Sequence, residues 1–290
     1  MVSVLKAEWI RSIRSWRFWV AVASALGLLL FTAGQYWQST TGSPIPHNAN
    51  FFSVSIAALG GYVDALWPVL IPVIATLPAG DTLAIDRRRG VDMLMITRVG
   101  WSRYLWGKLV GTVMIAVVAV GVAIGATVTL YAGWFPPVLP RLLGWNFGPK
   151  YYSLPYHVKQ SGVFATSYLV QYHLHLFWTA PTLYVVLVIA EALWATVCLA
   201  SLSSAGAVWI RQPLITLAVP VIVFFLGDVI AQALWHNFFI PSVYAGAYLS
   251  GFSAPPWALL AVYWAVWLLV PILILWWVGA RQKEWPRSVG

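Results

Sequence analysis

Six apolar runs, each long enough to make a helix of about twenty residues, dominate the chain, and its Lys and Arg cluster at their ends. A helix of that length is about 30 Å long, which matches the hydrocarbon thickness of a bilayer. The composition points the same way. Of 290 residues, 61% are hydrophobic and only 9% are charged, against about 25% charged in a soluble domain. A water-soluble surface cannot be covered with so few charges. The expected fold is therefore all-α: a polytopic transmembrane helical bundle of six spans.

The expected spans run from Phe18 to Trp37, Tyr62 to Ile85, Tyr104 to Trp134, Leu176 to Leu202, Leu214 to Leu234 and Trp257 to Gly279. The second carries Pro68, Pro72 and Pro78, and the third exceeds a bilayer's needs, so it should tilt or project. The domain plan is an interfacial amphipathic helix over 1–17, a six-helix membrane domain over 18–280 and a tail over 281–290. The first apolar run is longer than a signal peptide's core and no small-x-small cleavage site follows it, so it is expected to remain as a span.

The net charge of +9 does not point to nucleic acid, because it follows the span ends. Lys6, Arg11, Arg14 and Arg17 precede the first span. Arg87, Arg88, Arg89, Arg98, Arg103 and Lys108 lie between the second and third or just inside them. Arg211 joins the fourth to the fifth, and Arg281, Lys283 and Arg287 follow the sixth. Those fourteen fall on one side, against Arg141, Lys150 and Lys159 on the other. The positive-inside rule makes the first side cytoplasmic, with both termini there. The expected location is a bacterial or archaeal plasma membrane, crossed several times.

Ahead of the first span, Val2, Leu5, Trp9, Ile13 and Trp16 recur at helical spacing while the cations lie off that stripe. A basic helix with a Trp-bearing apolar face is expected to lie in the cytoplasmic interface.

The most informative stretch is the short connection from Asp81 to Lys108, DTLAIDRRRGVDMLMITRVGWSRYLWGK. It opens on Asp86, Arg87, Arg88 and Arg89, and Gly90 permits a turn. Val91 to Thr97 can make two helical turns whose apolar side chains have little reason to face water, and Gly100 ends them before Trp101. A helix resting on the bilayer would account for this composition. So would a docking helix that fills a groove on a partner protein.

Here the sequence resembles the ABC-2 type transporter permease family, the membrane subunits of ATP-binding cassette exporters. The resemblance lies in an acidic-Arg-x-x-Gly-x-acidic-x-Leu pattern followed by Ser-Arg and Gly-Lys. Those positions are Asp86, Arg87, Gly90, Asp92, Leu94, Ser102, Arg103, Gly107 and Lys108. Asp86 departs from the family's usual Glu. The basic amphipathic start, six spans and a loop between the second and third match as well. The resemblance implies a coupling helix within about 86–103, with Asp86, Arg87, Arg88, Arg89, Gly90, Asp92, Leu94, Met95 and Arg98 as its ATPase-coupling residues. It implies an ABC ATP-binding subunit as partner and a second permease copy or paralogue. ATP and Mg would be held by the partner, so this chain would carry no cofactor and catalyse no reaction.

No nucleotide site is legible. The string nearest to a P-loop has six residues between Gly100 and Gly107, and Leu109 follows Lys108. Gly107 and Gly111, then Gly121 and Gly125, form small-xxx-small pairs on the third span, which suit close helix contacts. Glu191 and Asp228 are intramembrane carboxylates for which no deep basic partner is evident; contact with cargo, proton carriage or bonds to Ser and Thr all remain open. Asp64 sits near the outer end of the second span and Asp81 near its inner end, beside the loop's charges. His173 and His175 are too few for a metal site, and Cys198 reads as a core hydrophobe. The outer connection over about 135–175 is rich in Pro and aromatics, which suits a cap at headgroup level. Asn237 to Pro256 has the character of short half-helices.

Three function classes follow. The first is the permease subunit of an ATP-driven exporter in contact with membrane lipid. The second is an ion-coupled secondary transporter, although no internal repeat is evident. The third is an intramembrane enzyme using Glu191 and Asp228, although no catalytic motif accompanies them.

Overall fold

The computed structural model describes residues 2–41, 66–130, 180–234 and 257–281. Within them every regular element is a helix. The helices are α1 (Val2–Ile13), α2 (Trp16–Thr41), α3 (Leu66–Thr76), α4 (Thr82–Arg89), α5 (Val91–Val99), α6 (Trp101–Thr129), α7 (Pro181–Gly206), α8 (Pro213–Leu234) and α9 (Trp257–Arg281). Three stretches are long and apolar enough to cross a membrane: Trp16–Gln35, Trp101–Thr129 and Thr182–Gly206. Pro213–Gly227 and Ala265–Val278 are shorter apolar helices. The expected outer cap over 135–175, the half-helices over Asn237–Pro256, Asp64, His173, His175 and the tail beyond Arg281 lie outside the described residues.

Helices α6 and α7 form the spine. Helix α6 packs against α1, α2, α3, α5, α7 and α9, while α7 packs against α3, α6, α8 and α9. At 29 residues, α6 is about 44 Å long, and it packs against both helices of the α4–α5 segment. A Ser15 cap separates α1 from α2. Its Oγ accepts the Phe18 N–H at 3.3 Å and donates to the Ser12 carbonyl at 2.8 Å.

The second expected span departs from its predicted continuity. Helix α3 stops at Thr76, and a buried turn over 77–81 precedes α4. Pro78 has no N–H to give the carbonyl four residues back, which breaks the ladder there. The carbonyls of the turn itself find side-chain donors: Thr112 Oγ1 reaches Ala79 O at 3.4 Å and Ser203 Oγ reaches Gly80 O at 2.9 Å. Gly80 is so closely covered that a Cβ there would lie 2.5 Å from Ser203 Oγ and 2.6 Å from the Thr76 carbonyl. Irregular backbone is tolerated here because protein surrounds it.

Candidate functional site

The charged end of the bundle is built around two buried acids that the fold brings together across almost eighty residues of sequence. Asp86, on α4, accepts Lys108 Nζ at 2.5 Å and the Tyr104 hydroxyl at 3.0 Å on Oδ2, and Arg11 at 2.7 Å on Oδ1. Glu8, on α1, accepts the same Lys108 at 2.5 Å, and Arg11 lies 3.8 Å from it. Lys108 is 2% exposed and Tyr104 fully buried. Two anions and two cations thus close on each other, and the Tyr104 ring lies 5.7 Å from the lysine's Nζ. A second bridge, Arg17 to Asp81, ties the start of α2 to the turn before α4. Burial alone would raise the Asp86 carboxyl, yet Lys108 and Arg11 hold it below its ordinary value. Burial likewise disfavours the charged Arg11, and Asp86 outweighs it, so the guanidinium stays firmly protonated.

This cluster changes the account of α1. Its most buried positions are Val4, Glu8 and Ser12, a face rotated by roughly a quarter turn from the expected stripe. Trp9 from that stripe turns toward the bundle, packing on the Phe18, Val22, Ala79, Ile115 and Ala119 cluster. Helix α1 is thus a packed member of the bundle along one side.

Helix α5 is the other half of the site. Gly90, at φ 70°, reverses the chain between α4 and α5, and Gly100, at φ 82°, does so between α5 and α6; side chains with a Cβ rarely adopt either conformation. Between them, Met95, Ile96 and Val99 pack onto a core made by Leu83, Ala84, Tyr104, Leu105, Val208 and Leu275 with their neighbours. Met93 and Leu94 face outward, each 66% exposed, flanked by the exposed Thr97 and Arg98. The predicted pair Leu94 and Met95 is therefore split: Leu94 is presented and Met95 anchors. Asp92 is buried at the N-terminus of α5, its Oδ1 accepting the Met93 N–H at 2.9 Å, where a carboxylate complements the helix dipole.

The three arginines of the loop also part company. Arg87 turns inward and donates to the carbonyls of Ala207 and Val208, just past the end of α7, the Ala207 contact being 3.1 Å. Burial, and then the nearby Arg211, make its charged form less favourable than usual. Arg88 and Arg89 are exposed. One short loop thus grips α1, α6 and α7 at once.

The glycine pairs serve different neighbours. At Gly111 a Cβ would lie 3.3 Å from Glu8 Cβ, so the buried Gly107 and Gly111 stretch is where α1 crosses α6. At Gly121 it would lie 3.9 Å from Leu193 of α7, and Gly125 is exposed with nothing within 4 Å. Glu191 is buried in α7, and neither carboxylate oxygen has a hydrogen-bond partner among the described residues. Asp228 lies on α8, and its side chain is outside the description. Cys198 is buried. Among the described residues no group of three His, Cys, Asp or Glu could hold a metal ion.

Sequence reasoning found the loop, its two glycine breaks and its charges, and it missed Glu8 and the role of Lys108. Two signals were present. Glu8 is the sole acid in the first sixty residues, set among four cations, and Lys108 follows the start of a long apolar helix by only seven positions. A lysine so placed needs a carboxylate. No family model matches the chain, and no curated protein or solved structure matches it either.

Proposed function

We propose that this chain is the permease subunit of an ATP-driven ABC transporter, an exporter, energised by a separate ATP-binding subunit that docks on α5. In this reading six spans cross the plasma membrane with both termini in the cytoplasm. The charged end faces the cytoplasm, and two copies, or this chain and a paralogue, form the pathway. The observation that carries the reading is the two-sidedness of α5. Its outer face presents Met93 and Leu94 among positive charges, while its inner face is fixed to the core through Met95, Ile96 and Val99. Such a helix suits an apolar groove with an acidic rim. A push on it would pass to α1 and α6 through Asp86, Glu8 and Lys108, and to α7 through Arg87, because all of these are bonded to one loop.

The test is co-purification with an ATP-binding subunit encoded beside this chain. Replacing Met93 and Leu94 together by Asp should abolish the association and leave the melting temperature of the isolated chain within a few degrees of wild type, since both side chains already face solvent. Undiminished binding by that variant would remove α5 as the docking element.

The carboxyl of Glu191, without a hydrogen-bond partner among the described residues, favours a second reading, an ion-coupled carrier. Transport that persists without ATP, collapses with the proton gradient and is lost in Glu191→Gln would decide for it.

A further inference from the structure

At the charged end of the bundle every described acid is turned inward: Glu8, Asp81, Asp86 and Asp92 are all buried. The cations divide. On the first seventeen residues, Arg11 and Arg17 are spent on Asp86 and Asp81, while Lys6 and Arg14 are exposed and bridge to no acid among the described residues. Lys6, Ile10 and Arg14 follow one another by four positions, so they form one outward ridge with about 6 Å of rise per step, opposite the face that carries Val4, Glu8 and Ser12. Ile10, between the two cations, is itself exposed.

The ridge also has a defined height. Trp16, two residues beyond Arg14, opens the first stretch long enough to cross a membrane, Trp16–Gln35. Trp16 and Trp19 are both exposed, and Trp19 Nε1 donates to the Ile13 carbonyl at 3.0 Å, which holds its indole against the end of α1. Exposed indoles at the mouth of a span belong at headgroup depth, where one end of the ring is apolar and the other wet. Positive side chains at that depth, with an isoleucine between them, complement an anionic surface that has an acyl boundary beneath it.

We propose that the ridge of Lys6, Ile10 and Arg14, together with Trp16 and Trp19, is a seat for acidic phospholipid headgroups. Two cations are held in place by the same helix whose opposite face closes the ion cluster, so a bound anionic lipid and the Glu8–Lys108–Asp86 contacts favour one position of α1. The proposal rests on the chain being in a membrane and not on its having an ATP-binding partner.

The experiment uses the full-length chain in mild detergent, titrated with phosphatidylglycerol or phosphatidylcholine and read by native mass spectrometry. The wild type should retain phosphatidylglycerol in preference. Each cation near an anionic lipid strengthens association by about fivefold, so Lys6→Gln with Arg14→Gln should weaken retention by about twenty-five-fold. Arg88→Gln with Arg89→Gln, on α4, should leave it unchanged. A second measurement keeps the test open if the first pair fails to fold. A nitroxide on Ile10→Cys, in nanodiscs containing phosphatidylglycerol, should collide with dissolved oxygen more than with a water-soluble nickel chelate. Equal retention of the two lipids, a phosphatidylglycerol preference that survives Lys6→Gln with Arg14→Gln, loss of that preference in the α4 pair, or a label at position 10 reached mainly by nickel would overturn the proposal.

Discussion

Asp86 and Glu191 are the two ends of a comparison that the molecule makes with itself. Both are buried carboxyl side chains, 5% and 7% exposed. Asp86 receives Lys108, Arg11 and Tyr104, whereas Glu191 receives no donor among the described residues. Burying an anion costs several kcal/mol unless charges and hydrogen bonds replace its water. At Asp86 the replacement is complete, and the result is a rigid joint between α1, α4 and α6. At Glu191 no such replacement is found among the described residues, and none of them is tied to it by a hydrogen bond. The difference separates a region built to hold its shape from a region in the middle of the bundle that holds a polar group without tying it down.

The largest expected effect breaks the first half of that comparison. Lys108→Met removes the cation shared by Glu8 and Asp86 and leaves two acids facing each other with Arg11 alone. The expected loss is about 3–5 kcal/mol of stability, read as a large fall in melting temperature in detergent. The further change of Glu8→Gln should restore part of it, because it removes the acid left without its lysine. A Lys108→Met chain that melts like the wild type would show that the cluster is not what fixes α1.

A smaller effect tests whether the rigid region extends into the turn over 77–81. Gly80→Ala places a methyl group against Ser203 Oγ and the Thr76 carbonyl, and one of those two is backbone, so the turn must shift. About 1–3 kcal/mol of destabilisation is expected, as for overpacking elsewhere. Gly125→Ala, on the exposed outer half of α6 with open space around it, should instead be neutral or stabilise by about 0.5–1 kcal/mol. Equal losses at the two glycines would erase the distinction between the ends of the bundle.

How much of this was legible beforehand follows the same divide. The long helices were readable because a run of twenty apolar residues has few alternatives, and the five apolar runs outside the broken second one appear as helices within about five residues of their expected bounds; three stretches among the described residues are long and apolar enough to cross a membrane. Helix α5 was readable because Gly90 and Gly100 punctuate it. The break after Thr76 was less so. Three prolines marked the second run, but which of them ends the helix depends on whether Thr112 and Ser203 can satisfy the carbonyls of the turn that follows. That is tertiary information. The face that α1 turns to the bundle was not legible for a related reason. An apolar stripe reports where lipid or protein can lie, whereas Glu8 buries itself because Lys108 and Arg11 are there to meet it. Pairing across a hundred residues leaves no period in the sequence.

Acid should expose the joint more gently than mutation, because protonation leaves the Asp86 side chain and its volume in place. Its carboxyl is held below the ordinary value of 3.8 in the folded chain. The unfolded chain therefore takes up the proton first, and the stability that the pairing contributes is present in full above the ordinary carboxylate range and is lost as pH falls through the folded value. Melting temperatures measured downward from pH 7 should hold steady and then drop at the acid end. In Asp86→Asn the starting temperature should be lower and the acid drop shallower. An unchanged acid limb in that variant would assign the drop to other groups.

The smallest effect on stability belongs to Glu191, and it is the one that separates holding from working. Gln has nearly the same shape and cannot carry charge. If the carboxyl is a structural partner, Glu191→Gln should destabilise as Asp86→Asn does. If it is an uncommitted polar group inside the bundle, the stability should stay within about 1 kcal/mol of wild type, or rise, because an isolated buried acid contributes nothing favourable of its own. Transport measured on the same sample then gives the comparison its meaning. If the chain transports cargo as proposed, intact stability with lost transport would mark Glu191 as a group that acts on cargo or protons, while intact stability with intact transport would leave it without that role.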